Sequence, residues 1–212
     1  MFNPRERNWV MSLSPDQIDK LTEIVNIGFG RAAASLSNLV QQRILLSVPE
    51  IRICSVDELP NYLSLPSSQV TTVHQIFHGW LNGDAILLLD TESASILVNL
   101  LSGDAPEARP LTTSDREALI EIGNILLNAF IGSLGNILKV KIHFSVPRFY
   151  IEAIHELVNA LHVGENEIRH TLVIKTFFET RDSHVGGYVV IILGIESLER
   201  LCEALDAPSV SS

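Results

Sequence analysis

Glu23 and Asn26 stand three residues apart, with Asp19 four residues ahead of the Glu. The same types return far down the chain as Glu121 and Asn124, with Glu117 in front. A carboxylate accepts hydrogen bonds and pairs with cations, whereas a carboxamide both donates and accepts and can hold a water molecule. One such pair reads most simply as part of a solvated helix face. Three features raise it above that. Asn is a mediocre helix former with no local reason to sit mid-helix. The pair recurs at equal spacing. Val-Pro follows each Asn at the same distance, ending at Pro49 and Pro147. A duplicated ancestor also explains shared residues without activity.

The recurrence belongs to a longer repeat, the kind of pattern that sets the architecture. Leu13–Pro49 written over Leu111–Pro147, at an offset of 98, gives 13 identities in 37 positions without a gap. Further on, Gly83–Leu89 resembles Gly187–Leu193 at an offset of 104, so a loop in the second half is about six residues longer. Ser102–Pro110 reads as the joint between the halves.

Each half reads as long helix, three strands and short helix. Ser14-Pro15 starts a helix over about 15–40, and Thr112 or Thr113 starts one over about 113–138. Strands are expected near 42–54, 69–81 and 83–90, then 139–151, 168–180 and 185–193, with short helices at 91–101 and 195–205. Glu152–Leu161 reads as an extra short helix. At about 100° per residue, Glu23 and Asn26 flank Asp19 near 40° and −20°, opposite Leu21, Ile24, Val25, Gly28 and Ala32. Glu117, Glu121 and Asn124 likewise lie opposite Leu119, Ile122, Gly123, Leu126 and Phe130. Gly30 and Asn128 fall near 20° on the two polar faces, and Asn128 reads as a bystander. The expected fold is α+β: one pseudo-two-fold duplicated domain over 1–212, with repeats at about 13–103 and 111–206 and the long helices on a central, mostly antiparallel sheet. Residues 1–11 read as a loose tail.

Composition excludes several classes. The net charge is −10, from 15 basic and 25 acidic residues, and no basic cluster offers a footprint for nucleic acid. Hydrophobic residues make up 46% and mean hydropathy is +0.25, yet no apolar run reads as membrane-spanning. The first residues lack a signal-peptide pattern, so a cytoplasmic protein is expected. Cys54 and Cys202 are too few for a disulfide framework and read as packed, unreactive side chains. His74 and His78 would share a strand face, a conceivable but improbable metal pair. No phosphate-binding or dinucleotide glycine motif and no nucleophile elbow is present.

The pattern Asp19-x3-Glu23-x2-Asn26-x22-Pro49 resembles the signature of the CheC/CheX/FliY family of chemotaxis response-regulator phosphatases. The copy Glu117-x3-Glu121-x2-Asn124-x22-Pro147 is similar except at Glu117, where the family usually has Asp or Ser. Two sites in one chain look most like CheC. The resemblance implies hydrolysis of the aspartyl phosphate of a CheY-like receiver, which terminates chemotaxis signalling. It gives Asn26 and Asn124 the attacking water and gives Glu23 and Glu121 a receiver lysine. Asp19 and Glu117 become docking groups, and Pro49 and Pro147 are structural. It implies no cofactor or metal on this chain and Mg²⁺ on the receiver. A monomer is expected, without nucleic acid or membrane partners. Some CheC proteins bind CheD through a segment that typically reads Asp-Met-Ala-Gly-Ala. Glu152–Glu156 keeps the acid and loses the small residues, so CheD is a weak expectation. Two other readings stay open. One is a non-catalytic adaptor akin to the middle domain of FliM, and the other a ligand-binding domain, for which the sequence shows no pocket.

Overall fold

The computed structural model describes residues 13–41, 43–63, 65, 69–161, 169–179 and 184–206. The expected tail over 1–11 lies outside them. Two long helices dominate, α1 (Pro15–Val40) and α4 (Thr113–Leu138). Ser14 Oγ accepts from the Gln17 N–H at 3.2 Å while Gln17 Oε1 accepts from the Ser14 N–H at 2.9 Å, a reciprocal cap. Thr112 and Asp115 repeat it on α4 at 3.2 and 2.7 Å, which makes Thr112 the cap. Both helices end on a non-glycine residue in the left-handed region, Gln41 and Lys139, each with φ 55° and counterparts at the offset of 98.

The remaining elements are β1 (Leu45–Ser55), α2 (Leu59–Tyr62), β2 (Gln69–Gly79), β3 (Gly83–Asp90), α3 (Thr91–Ser102), β4 (Ile142–Phe144), β5 (Arg148–Ala153), α5 (Ile154–Leu161), β6 (Arg169–Glu179), β7 (His184–Gly194) and α6 (Ile195–Asp206). They build one antiparallel sheet in the order β1-β6-β7-β3-β2-β4, with β5 also on β2. The halves interleave: β1 joins the β6–β7 hairpin of the second half, and β4 and β5 join the β2–β3 hairpin of the first. At the centre Ile86 pairs with Val190, its own counterpart at the offset of 104, so the pseudo-two-fold axis passes there.

Two differences from the sequence reading have clear causes. The strand expected over 139–151 is split into β4 and β5 around Ser145–Pro147. Proline cannot donate to a ladder, and Ser145 holds the gap instead: its N–H donates to Ile76 O at 2.8 Å and its Oγ accepts from the Ile76 N–H at 2.9 Å. The matching segment of β1 tolerates a register shift between Ser47 and Glu50 without breaking. The second difference is that both sheet faces are covered. Leu21, Phe29, Leu126, Phe130, Leu87 and Val189 belong to the main core under the long helices. Cys54, Leu59, Ile86, Leu157, Tyr188 and Val190 form a smaller core under α2 and α5. The central strand β3 is therefore buried throughout Ala85–Asp90.

Close approaches fix the long helices. A Cβ on Gly28 would stand 2.9 Å from Phe130 Cα, so α1 and α4 meet there backbone to backbone. A Cβ on Gly123 would stand 2.5 Å from Val73, which brings α4 down onto β2. By length and composition α4 could cross a membrane, but here its apolar stripe is spent on α1 and the sheet.

Candidate functional site

The apolar stripe of α1 buries Leu21, Ile24, Val25, Gly28, Phe29 and Ala32. Helical geometry then forces Asp19, Glu23 and Asn26 outward, and all three are exposed. On α4 the stripe Leu119, Ile122, Gly123, Leu126 and Phe130 is buried, and Glu117 and Glu121 are exposed. Asn124 is half-buried. The structure thus sets each triplet on one helix face. On a helix, residues three or four apart are neighbours, about 5–6 Å between Cβ atoms.

The surroundings of the two faces differ. Asn128, one turn beyond Asn124, donates from Nδ2 to Asn124 Oδ1 at 2.7 Å. Its counterpart on α1 is Gly30, which faces open space. Beside Glu117, Arg116 stacks its guanidinium over the Phe149 ring at 5.8 Å, tying α4 to β5. The matching residue on α1 is Ile18, 39% exposed.

The N-terminus of α4 is also braced by charge. Arg109 NH1 and NH2 grip Asp115 at 2.5 and 3.1 Å, and NH2 also donates to Asn99 Oδ1 at 2.8 Å. The Arg109 guanidinium, aided by the Thr112 cap, holds the Asp115 carboxyl well below the usual carboxylate range despite its burial. The joint Ser102–Pro110 is tied back as well, since Asn99 Nδ2 donates to Glu107 O at 2.8 Å. On α1 the equivalent residue is neutral: Gln17 Nε2 donates to Asp206 of α6 at 3.0 Å.

Other residues picked out from the sequence lie apart. His74 is half-buried and hydrogen-bonded to Asp84 at 3.0 Å, while His78 is exposed and stacks on His143. Each therefore has its own partner. Among the described residues, no three His, Cys, Asp or Glu side chains gather as a metal site. Burial, then nearby Glu58, pushes the Cys54 thiol up to about 11, and burial also raises Cys202. Glu152 accepts from Thr72 Oγ1 at 3.3 Å and Glu156 caps the Ala153 N–H at 3.0 Å, so Glu152–Glu156 spans the β5–α5 junction. The bracing by Arg109 and Arg116 was not read from the sequence, because neither is matched by an identical residue in the other half.

The CheC-like family matches residues 17–53, a stretch that contains Asp19, Glu23, Asn26 and Pro49. A relative named CheY-P phosphatase CheC, from Bacillus subtilis, is 26% identical over 205 residues, covering 92% of this chain and 96% of its own. This chain resembles the CheC-like family within that stretch and CheC along most of its length. Its fold is that of Thermotoga maritima FliY, with TM-score 0.75 at 23% identity over 92% of this chain and 98% of that one. The FliM middle domain from H. pylori shares the fold at TM-score 0.64 and 12% identity, over 91% of this chain and 99% of that one.

Proposed function

We propose that this chain accelerates hydrolysis of the aspartyl phosphate on a CheY-like receiver, from two helix faces on one pseudo-two-fold body formed by the halves at about 13–103 and 111–206. The observation that carries the reading is the recurrence of an outward Glu-x-x-Asn on both long helices, the first lying inside the CheC-like match. The likeness to CheY-P phosphatase CheC over most of both chains supports the substrate class.

Phosphoryl transfer asks mainly for positioning and charge stabilisation. In this reading the receiver brings the phosphoryl group, Mg²⁺ and a lysine. Glu23 or Glu121 pairs with that lysine, and Asp19 or Glu117 widens the contact. Asn26 or Asn124 holds a water in line with the phosphorus. The water oxygen bonds to phosphorus, the bond to the aspartyl oxygen breaks, and the receiver carboxylate leaves. The water gives up its proton, and the products are inorganic phosphate and free receiver.

The test mixes an acetyl-phosphate-charged receiver and Mg²⁺ with wild type, Asn26→Ala, Asn124→Ala and the double variant. Faster loss of phosphoaspartate with wild type and none with the double variant is expected. Unchanged decay with wild type rejects the enzyme reading. Binding of the charged receiver without faster decay would instead favour an adaptor, for which the exposed Ile18 and Ile27 beside the first face offer apolar contact.

A further inference from the structure

We infer that Asn128 is a positioning residue that fixes the Asn124 carboxamide, so that the second face presents its amide in one orientation and the first does not. This rests on the phosphatase reading above for its consequence, though not for its geometry. The 2.7 Å bond from Asn128 Nδ2 occupies one lone pair of Asn124 Oδ1. It leaves the second lone pair and the whole NH₂ of Asn124 for a water or a phosphoryl oxygen.

The direction of the bond follows from burial. Asn128 Oδ1 is buried with no hydrogen-bond partner among the described residues. If both carboxamides were turned over, the Asn128 NH₂ would occupy that buried place without an acceptor. An orphaned buried donor is the rarer outcome in proteins than an under-satisfied carbonyl oxygen. The donor of Asn128 therefore points at Asn124, and the NH₂ of Asn124 points away from Asn128.

The first face lacks the device. At the counterpart position Gly30 has no side chain, and a Cβ built there meets nothing within 4 Å. Asn26 is exposed, and no hydrogen bond to its carboxamide is found among the described residues. Asn26 must give up its rotamer freedom when a substrate arrives, whereas Asn124 has already done so.

The experiment has two arms on the full chain. The first records the Asn side-chain amide resonances by ¹⁵N NMR in wild type and Asn128→Ala. Loss of the Asn128 pair together with a shift and sharpening of the Asn124 pair is expected. An Asn124 pair that does not move overturns the inference, whatever the chain's activity. The second arm measures turnover on the charged receiver with one face silenced. In an Asn26→Ala background, Asn128→Ala should lower kcat about three- to tenfold at constant KM, the cost of one freed side chain. Asn128→Asp keeps the size but replaces the donor with an acceptor, so it should turn Asn124 over and also lower kcat. In an Asn124→Ala background, Gly30→Asn should raise kcat at the first face. An unchanged kcat for Asn128→Ala in an active background, or a loss seen only as raised KM, overturns the positioning role. If wild type gives no turnover at all, the phosphatase reading fails and the amide spectra alone decide whether Asn128 holds Asn124.

Discussion

The faces on α1 and α4 carry the same Glu and Asn in different settings. Around the first stand Ile18, Gly30 and a Gln17 cap, with Lys20 next to Asp19 donating to Leu205 O. Around the second the neighbours are polar and bonded: Arg116 on Phe149, Asn128 on Asn124, and Asp115 in the grip of Arg109. The two halves share a fold and a central axis, so the fold does not explain the contrast. The residues flanking the pair differ. The divergence tells where the two faces should part in rate, in salt response and in stability.

The largest effect should come from the residues that are alike. Asn26→Ala with Asn124→Ala should reduce phosphoaspartate hydrolysis by roughly two orders of magnitude, because an unpositioned water loses most of the gain from orientation. Unequal single variants would show how far the flanking residues have separated the faces, and equal ones would break the comparison. Next comes the helix crossing. Gly28→Ala places a Cβ 2.9 Å from Phe130 Cα, against backbone that cannot swing aside. It should destabilise by about 1–3 kcal/mol in chemical denaturation. The counterpart Leu126→Ala would open a cavity instead, at about 2–5 kcal/mol. A mild effect of Gly28→Ala would mean that α1 can slide over α4.

Much of this was legible from the sequence, for a physical reason. Periodicity of 3.6 places Glu23, Asn26, Glu121 and Asn124 outside whatever the core contains, and cap chemistry marks both helix starts within a residue. The gapless offset of 98 gave the two long helices, and the paired left-handed caps Gln41 and Lys139 follow from it. What the sequence hid depends on contacts between distant segments. The break of β4 from β5 reflects a Ser145 bond to Ile76 as well as Pro147. The smaller core under α2 and α5 needs apolar residues on both faces of β3 and β7, and a continuous apolar run does not say which face meets what. Asn128 lay on the right face but read as a bystander, because its partner and its burial are properties of the folded helix.

A smaller effect concerns docking. Glu23→Gln and Glu121→Gln should each raise KM on their own face about two- to fivefold, the range of an exposed ion pair, with kcat little changed. Both should flatten the rise of KM with salt. Each face has an adjacent cation, Arg116 beside the second and Lys20 beside the first, and Lys20 is held by Leu205 O, so a difference in salt slope between the faces reports on Arg116 over Phe149. Equal slopes would remove Arg116 from the comparison.

The smallest expected effect separates the two helix caps. Asp115 and Gln17 occupy equivalent positions, and only Asp115 titrates. Its carboxyl is held below the ordinary value of about 3.9 by Arg109, so the folded state binds that proton less readily than the unfolded chain. The cap on α4 therefore contributes fully above about pH 4 and loses its contribution as pH falls through the depressed value. Asp115→Asn should cost about 1 kcal/mol at neutral pH, a cap-sized loss, since Arg109 is more than a third exposed and solvent screens the ion pair. The difference between wild type and variant should shrink as the solution is taken below pH 4. Gln17→Ala should cost a similar amount at neutral pH. Urea titrations of the three chains at pH 7 and pH 3 decide it: a constant gap for Asp115→Asn would mean that the cap works through its geometry and owes nothing to charge.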